Sequence, residues 1–118
     1  MRSHEDLDVW RAAVALAKGL YRVTSVFPPE ERFGLSAQMR RAAVSVASNI
    51  AEGASRQGTK EFIQFLYVAS GSASELLTQC EIAKAVVASQ ADQIERLQVE
   101  ATVISKMLRA LIRSLKNR

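Results

Sequence analysis

Residues 38 to 53 read Gln-Met-Arg-Arg-Ala-Ala-Val-Ser-Val-Ala-Ser-Asn-Ile-Ala-Glu-Gly. Laid on a 3.6-residue helix, Met39, Ala42, Ala43, Val46 and Ile50 form one apolar stripe, while Val44, Ala47 and Ala51 form another. A helix of a small bundle needs a single stripe a little over 100° wide. Two stripes imply two sets of partners: a core on one side and, on the other, a second surface such as another subunit. Asn49 and Glu52 place polar groups near the end of the segment.

The rest of the chain extends this helical pattern. Only two prolines and five glycines occur in 118 residues, and aromatics make up 6%. The abundance of Ala, Leu, Val, Glu, Arg and Gln favours helix over strand. In helix one, expected over about residues 4 to 26, Leu7, Trp10, Val14, Ala17, Tyr21 and Thr24 recur at 3,4 spacing behind a Ser3 to Asp6 capping pattern. Phe27, Pro28 and Pro29 stop it, because proline lacks the amide and restricts the residue before it. A connection over 27 to 35, with a short turn near Glu30 to Phe33, leads to helix two. That helix runs from Ser36, read as its N-cap, to about Gly53 or a few residues further.

Gly53 and Gly58 mark the exit, and Thr59 is read as the N-cap of helix three. Its seam is Phe62, Leu66, Ala69, Ala73, Leu76, Cys80, Ala83 and Val87, alternating 4,3 over about 26 residues. A Ser89 to Asp92 capping pattern opens helix four, where Ile94, Leu97, Ala101, Ile104, Leu108, Leu111 and Leu115 continue the rhythm. Four heptad-patterned helices on short connections predict one all-α domain over 1–118, an antiparallel up-down-up-down bundle with helices of roughly 35 to 40 Å.

Function classes narrow by what is missing. The longest apolar run, Ala12 to Ala17, is far below the roughly 18 to 20 residues of a membrane span, and no apolar signal region follows Arg2; the expected location is the cytoplasm. The only histidine is His4, so a bundle-type metal centre built on Glu-x-x-His is not expected. Cys80 sits on an apolar seam with no candidate base besides the distant His4. Ser45, Ser48, Ser70, Ser72 and Ser74 lie within helices, where hydroxyls bond back to the preceding turn. With no phosphate loop or dinucleotide fingerprint, we expect no enzyme, no cofactor and no small-molecule substrate.

Charge points instead to a surface. The net charge is +4, yet residues 96 to 118 hold six cations against Glu100 alone, a local +5, so the remainder sums to −1. Lys106, Arg109, Arg113 and Lys116 follow 3,4,3 spacing as one stripe, and Arg11, Lys18 and Arg22 share a face of helix one. Such stripes attract nucleic acid, although cations near a helix C-terminus also stabilise the helix dipole and a solvated face has the same pattern. Arg40 and Arg41 point about 100° apart. They are either one interface residue and one solvated residue, or a phosphate clamp.

Gly71, inside helix three, costs about 1 kcal/mol relative to alanine unless a close contact uses it. Ser70, Gly71, Ser72 and Ala73 therefore predict a small-residue window against the alanines of helix two, with Asn49 and Glu52 near Glu75 and Arg40, Arg41 or Gln79 as donors.

These segments carry a resemblance. Leu7 to Trp10, Phe27-Pro28 with Glu31 and Phe33-Gly34-Leu35, Gln38-Met39-Arg40-Arg41-Ala42, Ser45, Asn49-Ile50-Ala51-Glu52-Gly53, and Ala69-Ser70-Gly71-Ser72 with Glu75 resemble the four-helix-bundle proteins typified by the 23S rRNA intervening-sequence protein. The resemblance implies a left-handed antiparallel bundle, assembly as a homopentameric ring and no known catalytic chemistry. Related proteins include the accessory variability determinant of diversity-generating retroelements, a basic pentamer that associates with a reverse transcriptase and nucleic acid. The expected partners are thus further copies of the chain, through Val44, Ala47 and Ala51, and RNA, DNA or a nucleoprotein, through the helix-four stripe and secondarily Arg40 and Arg41. Assembly without nucleic acid is the alternative. Asn49, Glu52, Gly71, Ser72 and Glu75 are expected as structural polar anchors.

Overall fold

A computed structural model describes residues 4 to 118. It contains four α-helices, α1 (Asp8–Thr24), α2 (Leu35–Ala54), α3 (Thr59–Val86) and α4 (Ala91–Lys116), with 3₁₀ turns at His4–Asp6, Pro29–Glu31 and Ala88–Gln90. No strand occurs among the described residues. Each helix packs on its sequence neighbours, and α1 also packs on α4.

Facing contacts pair residues in opposite chain order. Ser45 meets Ser72 and Gly53 meets Phe65 between α2 and α3. Lys84 meets Glu95, and Lys116 reaches Tyr67, between α3 and α4. The molecule measures 46 × 20 × 19 Å. Its longest helix, α3, has 28 residues, about 42 Å at 1.5 Å per residue and slightly beyond the expected length.

The first stripe of α2 is core: Met39, Ala43, Val46 and Ile50 are fully buried and Ala42 nearly so. All eight seam residues of α3 are buried as well. In α4 every seam residue but one is buried, Leu115 included; at the exception Ile112 is buried and Leu111 is only half-buried. A straight helix drifts about 20° per heptad from a 3.5 repeat, so a strict 3,4 seam slips by one residue at one turn, here from Leu111 to Ile112, before Leu115 rejoins it.

Helix α1 corrects the expectation more deeply. Its buried face is Val9, Ala13, Leu16, Leu20 and Thr24, whereas Leu7, Trp10 and Ala17 are half-buried and Tyr21 is 46% exposed. Two offset apolar sets share this helix. The set with two leucines buries more area than one closed by alanine and by tyrosine, whose hydroxyl favours water.

Helix starts also shift. Ser36 lies inside α2 and is buried, with Gly34 at the N-cap, and the Leu35 amide donates to Glu31 Oε1 at 3.4 Å. Thr59 is the first residue of α3 behind Gly58, and Ser89 sits in the 3₁₀ turn preceding α4. The Ser3 half of the first capping pattern lies outside the described residues.

Candidate nucleic-acid and assembly surfaces

A short polar track crosses from α2 to α3. The hydroxyls of Ser45 and Ser72 are 2.8 Å apart, and Asn49 Nδ2 donates to the Ser45 carbonyl at 2.9 Å and to its Oγ at 3.0 Å. This satisfies hydroxyls held half-buried between two helices. Glu52 does not join the track. It pairs with Arg56 at 2.9 Å on the surface, and Glu75 is exposed on α3. The register explains the separation: Gly53 faces Phe62 and Phe65, which leaves Glu52 roughly 15 Å from Glu75 along the bundle axis.

The same register reverses the roles of two glycines. Gly71 was expected at the close helix contact, yet it is exposed and a Cβ there would meet nothing within 4 Å. The close contact is at Gly53, which is buried; its Cβ would lie 2.7 Å from Phe65 Cβ and 3.2 Å from the Phe62 carbonyl oxygen.

The second stripe of α2 stays outside the core. Val44 is 41% exposed, and Ala47 and Ala51 are half-buried. Val44 and Ala47 line an apolar groove of about 430 Å³ with Val14, Ala17 and Tyr21 of α1. The apolar set expected to be the inner seam of helix one thus forms much of the other wall of this groove, with Lys18 and Arg22 at its rim.

Lys106, Arg109, Arg113 and Lys116 are all exposed. Arg109, Arg113 and Lys116 border one depression together with Tyr67 and Ile112, while Lys106 borders a neighbouring one with Leu77, Val99 and Val103. Lys116 Nζ donates to the Tyr67 hydroxyl at 2.6 Å. None of the four forms an ion pair with a carboxylate among the described residues.

Arg40 and Arg41 part company. The Arg40 guanidinium stacks 4.5 Å over Tyr21, and its Nε donates to Thr24 Oγ1 at 2.8 Å, fastening α2 to α1. Arg41 is exposed and forms no ion pair among the described residues. Arg11, on the helix-one stripe, is committed to Asp8 at 2.6 Å and to the Glu5 carbonyl. Arg32 and Phe33 were missed as a candidate surface because no helical repeat extends through the Pro28-Pro29 connection. There the Arg32 guanidinium lies 5.4 Å from the Phe33 ring centroid, and Phe33 is 86% exposed.

Between α3 and α4, Lys84 bridges Glu81 at 3.1 Å and Glu95 at 2.9 Å, and Gln98 donates to Glu81 at 2.9 Å. The Gln98 and Lys84 hydrogen bonds hold the Glu81 carboxyl below its ordinary range. The carboxylates of Glu95 and Glu81 raise the Lys84 ammonium. Burial pushes the Cys80 thiol up to about 11. Among the described residues, no three His, Cys, Asp or Glu side chains are grouped so as to hold a metal ion. Among the described residues, no helix is long and apolar enough to cross a membrane.

An all-α protein of four helices, with a cationic stripe on its last helix and an apolar groove between its first two, is the class these features define. The chain belongs to the 23S rRNA-intervening sequence protein family, whose family model matches residues 5–110. It is similar in fold to a crystal structure from Bacteroides thetaiotaomicron, described as a protein of unknown function from the S23 ribosomal protein family. The TM-score is 0.78 at 24% identity, covering 88% of this chain and 97% of that one. No curated protein matches the chain.

Proposed function

We propose that this protein is a non-enzymatic cytoplasmic scaffold or adaptor. Its left-handed, antiparallel up-down-up-down bundle assembles into a closed homopentameric ring and binds RNA or DNA, alone or within a nucleoprotein. The observation that carries the nucleic-acid reading is the exposure of Lys106, Arg109, Arg113 and Lys116 on α4 with no carboxylate among the described residues paired to them. Unpaired cations on one face release counterions from phosphates, and a ring multiplies the stripe. Arg41 is a secondary contact, and Arg40 keeps its post beside Tyr21.

Binding of single- and double-stranded RNA and DNA, measured between low and physiological salt, tests this reading. Affinity should fall steeply with salt, and exchanging the four α4 cations for glutamine should flatten the dependence. Failure of every nucleic acid to bind at low ionic strength leaves the protein as an assembly module. The apolar α1–α2 groove favours that alternative.

For assembly, the Val44, Ala47 and Ala51 stripe supports contact with another copy, because small side chains let helices approach closely. Ala47→Arg or Ala51→Arg should reduce the mass measured by light scattering while helicity is kept. An unchanged mass removes this face from the interface.

A further inference from the structure

A second site lies between the start of α2 and the later turns of α3. Arg32 and Phe33, from the connection preceding α2, open onto a cleft of about 1090 Å³ that Tyr21, Arg41, Glu75 and Gln79 also line. Arg40, stacked on Tyr21, forms part of its wall. The volume is ample for a ligand of nucleotide size.

Three kinds of group meet there. Phe33, 86% exposed, presents an aromatic ring beside the Arg32 guanidinium. Arg41, exposed and without an ion pair among the described residues, supplies a planar fork of N–H donors suited to phosphate. On α3, one turn apart, stand two groups that seek hydrogen-bond donors. Glu75, exposed, presents its side-chain oxygens as acceptors, and Gln79, 8% exposed, has its Oε1 buried without a partner among the described residues. A bare phosphate or carboxylate would satisfy the arginine and leave this wall unsatisfied. An unpaired base brings a flat face for Phe33 and Arg32 together with N–H groups on its edge.

We propose that this cleft binds a guanine nucleotide: the base stacks on Phe33, its N–H edge faces Glu75 and Gln79, and its phosphate meets Arg41. Guanine offers an N1–H and an exocyclic amine side by side, matching the two oxygens of one carboxylate, whereas adenine offers only its amine on that edge. The nucleotide is either free or one unpaired residue of a strand. This deepens the nucleic-acid reading at its secondary site and can fail apart from it, since the α4 stripe is untouched by the variants below.

Calorimetric titration of the full chain at low salt with 5′-GMP, 5′-AMP, inorganic phosphate and a short single-stranded RNA containing one guanine tests the assignment. GMP should bind more tightly than AMP and far more tightly than phosphate. Phe33→Ala and Arg41→Ala should each weaken it by about tenfold with unchanged circular dichroism, and Glu75→Gln should erase the preference over AMP. Tighter binding of the RNA than of GMP, lost in the same variants, places the nucleotide in a strand; equal binding makes the free nucleotide the ligand. No GMP binding at millimolar concentration overturns the proposal, as does binding matched by phosphate alone. Loss of oligomer mass in Phe33→Ala without loss of GMP affinity also overturns it and assigns the cleft to a contact between copies. If RNA still binds through α4 while GMP does not, the cleft assignment falls and the stripe stands.

Discussion

Gly53 of α2 lies so close to Phe65 of α3 that a Cβ on the glycine would come within 2.7 Å of the phenylalanine Cβ, with the Phe62 carbonyl oxygen at 3.2 Å. Backbone and Cβ atoms cannot rotate away as a side-chain tip can, so alanine at 53 forces the two helices apart. Gly53→Ala should lower stability by about 1 to 3 kcal/mol, the usual range for overpacking, read as a lower denaturant midpoint at unchanged slope.

Gly71 should behave in the opposite way. Its Cβ would meet no heavy atom within 4 Å, so alanine adds helix propensity without a clash. Gly71→Ala should raise the stability of the isolated subunit by about 1 kcal/mol, measured by denaturation under conditions where light scattering shows monomer. A fall in oligomer mass in the same variant would show that another copy uses the space.

The reversal of these two glycines shows where the sequence stops being informative. The α3 seam was readable because its eight positions admit a single offset, from Phe62 to Val87, and all are buried. In α1 two offsets compete, and only packing against the other helices selects Leu16 and Leu20 over Ala17 and Tyr21. What a glycine touches depends on the sliding register between helices, which neither helix encodes alone. The exposed α4 cations follow directly from 3,4 spacing. The cleft beside Phe33 does not, because it depends on where the Pro28-Pro29 connection delivers the chain.

Arg40 and Arg41 should separate stability from surface binding. Arg40 stacks on Tyr21 and donates to Thr24 at 2.8 Å. Arg40→Ala should therefore cost about 1 to 2 kcal/mol, combining a charged hydrogen bond with a cation–π contact. Arg40→Lys should recover only part of this, since an ammonium lacks the planar fork. Arg41→Ala should stay within about 0.5 kcal/mol of the parent. Urea denaturation of the three variants checks the ordering.

The Glu81, Lys84, Glu95 and Gln98 network fixes a pH response. Glu81 titrates below its ordinary value of 4.5, held there first by Gln98 and then by Lys84. Its contribution is present above pH 4.5 and is lost as pH falls through the lower folded-state value. Lys84 titrates above its ordinary 10.5 through Glu95 and Glu81, so its contribution is complete below 10.5 and is lost as pH rises through the higher folded-state value. Urea midpoints measured across pH should fall at both extremes. Lys84→Met should flatten the alkaline limb and weaken the acid one, and added salt should shrink both effects.

Cys80 should report opening of the bundle rather than chemistry. It is fully buried on the α3 seam, and burial is the first cause that pushes its thiol up to about 11. At pH 8 only about a thousandth of such a thiol is thiolate, the form that reacts with alkylating agents. Iodoacetamide should therefore leave the folded chain almost unmodified and label it stoichiometrically in denaturant, with mass spectrometry as the readout. In native buffer the labelling rate should rise in Gly53→Ala, where the α2–α3 contact is forced open, and should be unaffected by Arg41→Ala. Rapid labelling of the folded parent would place Cys80 outside the core and break the α3 seam on which the fold depends.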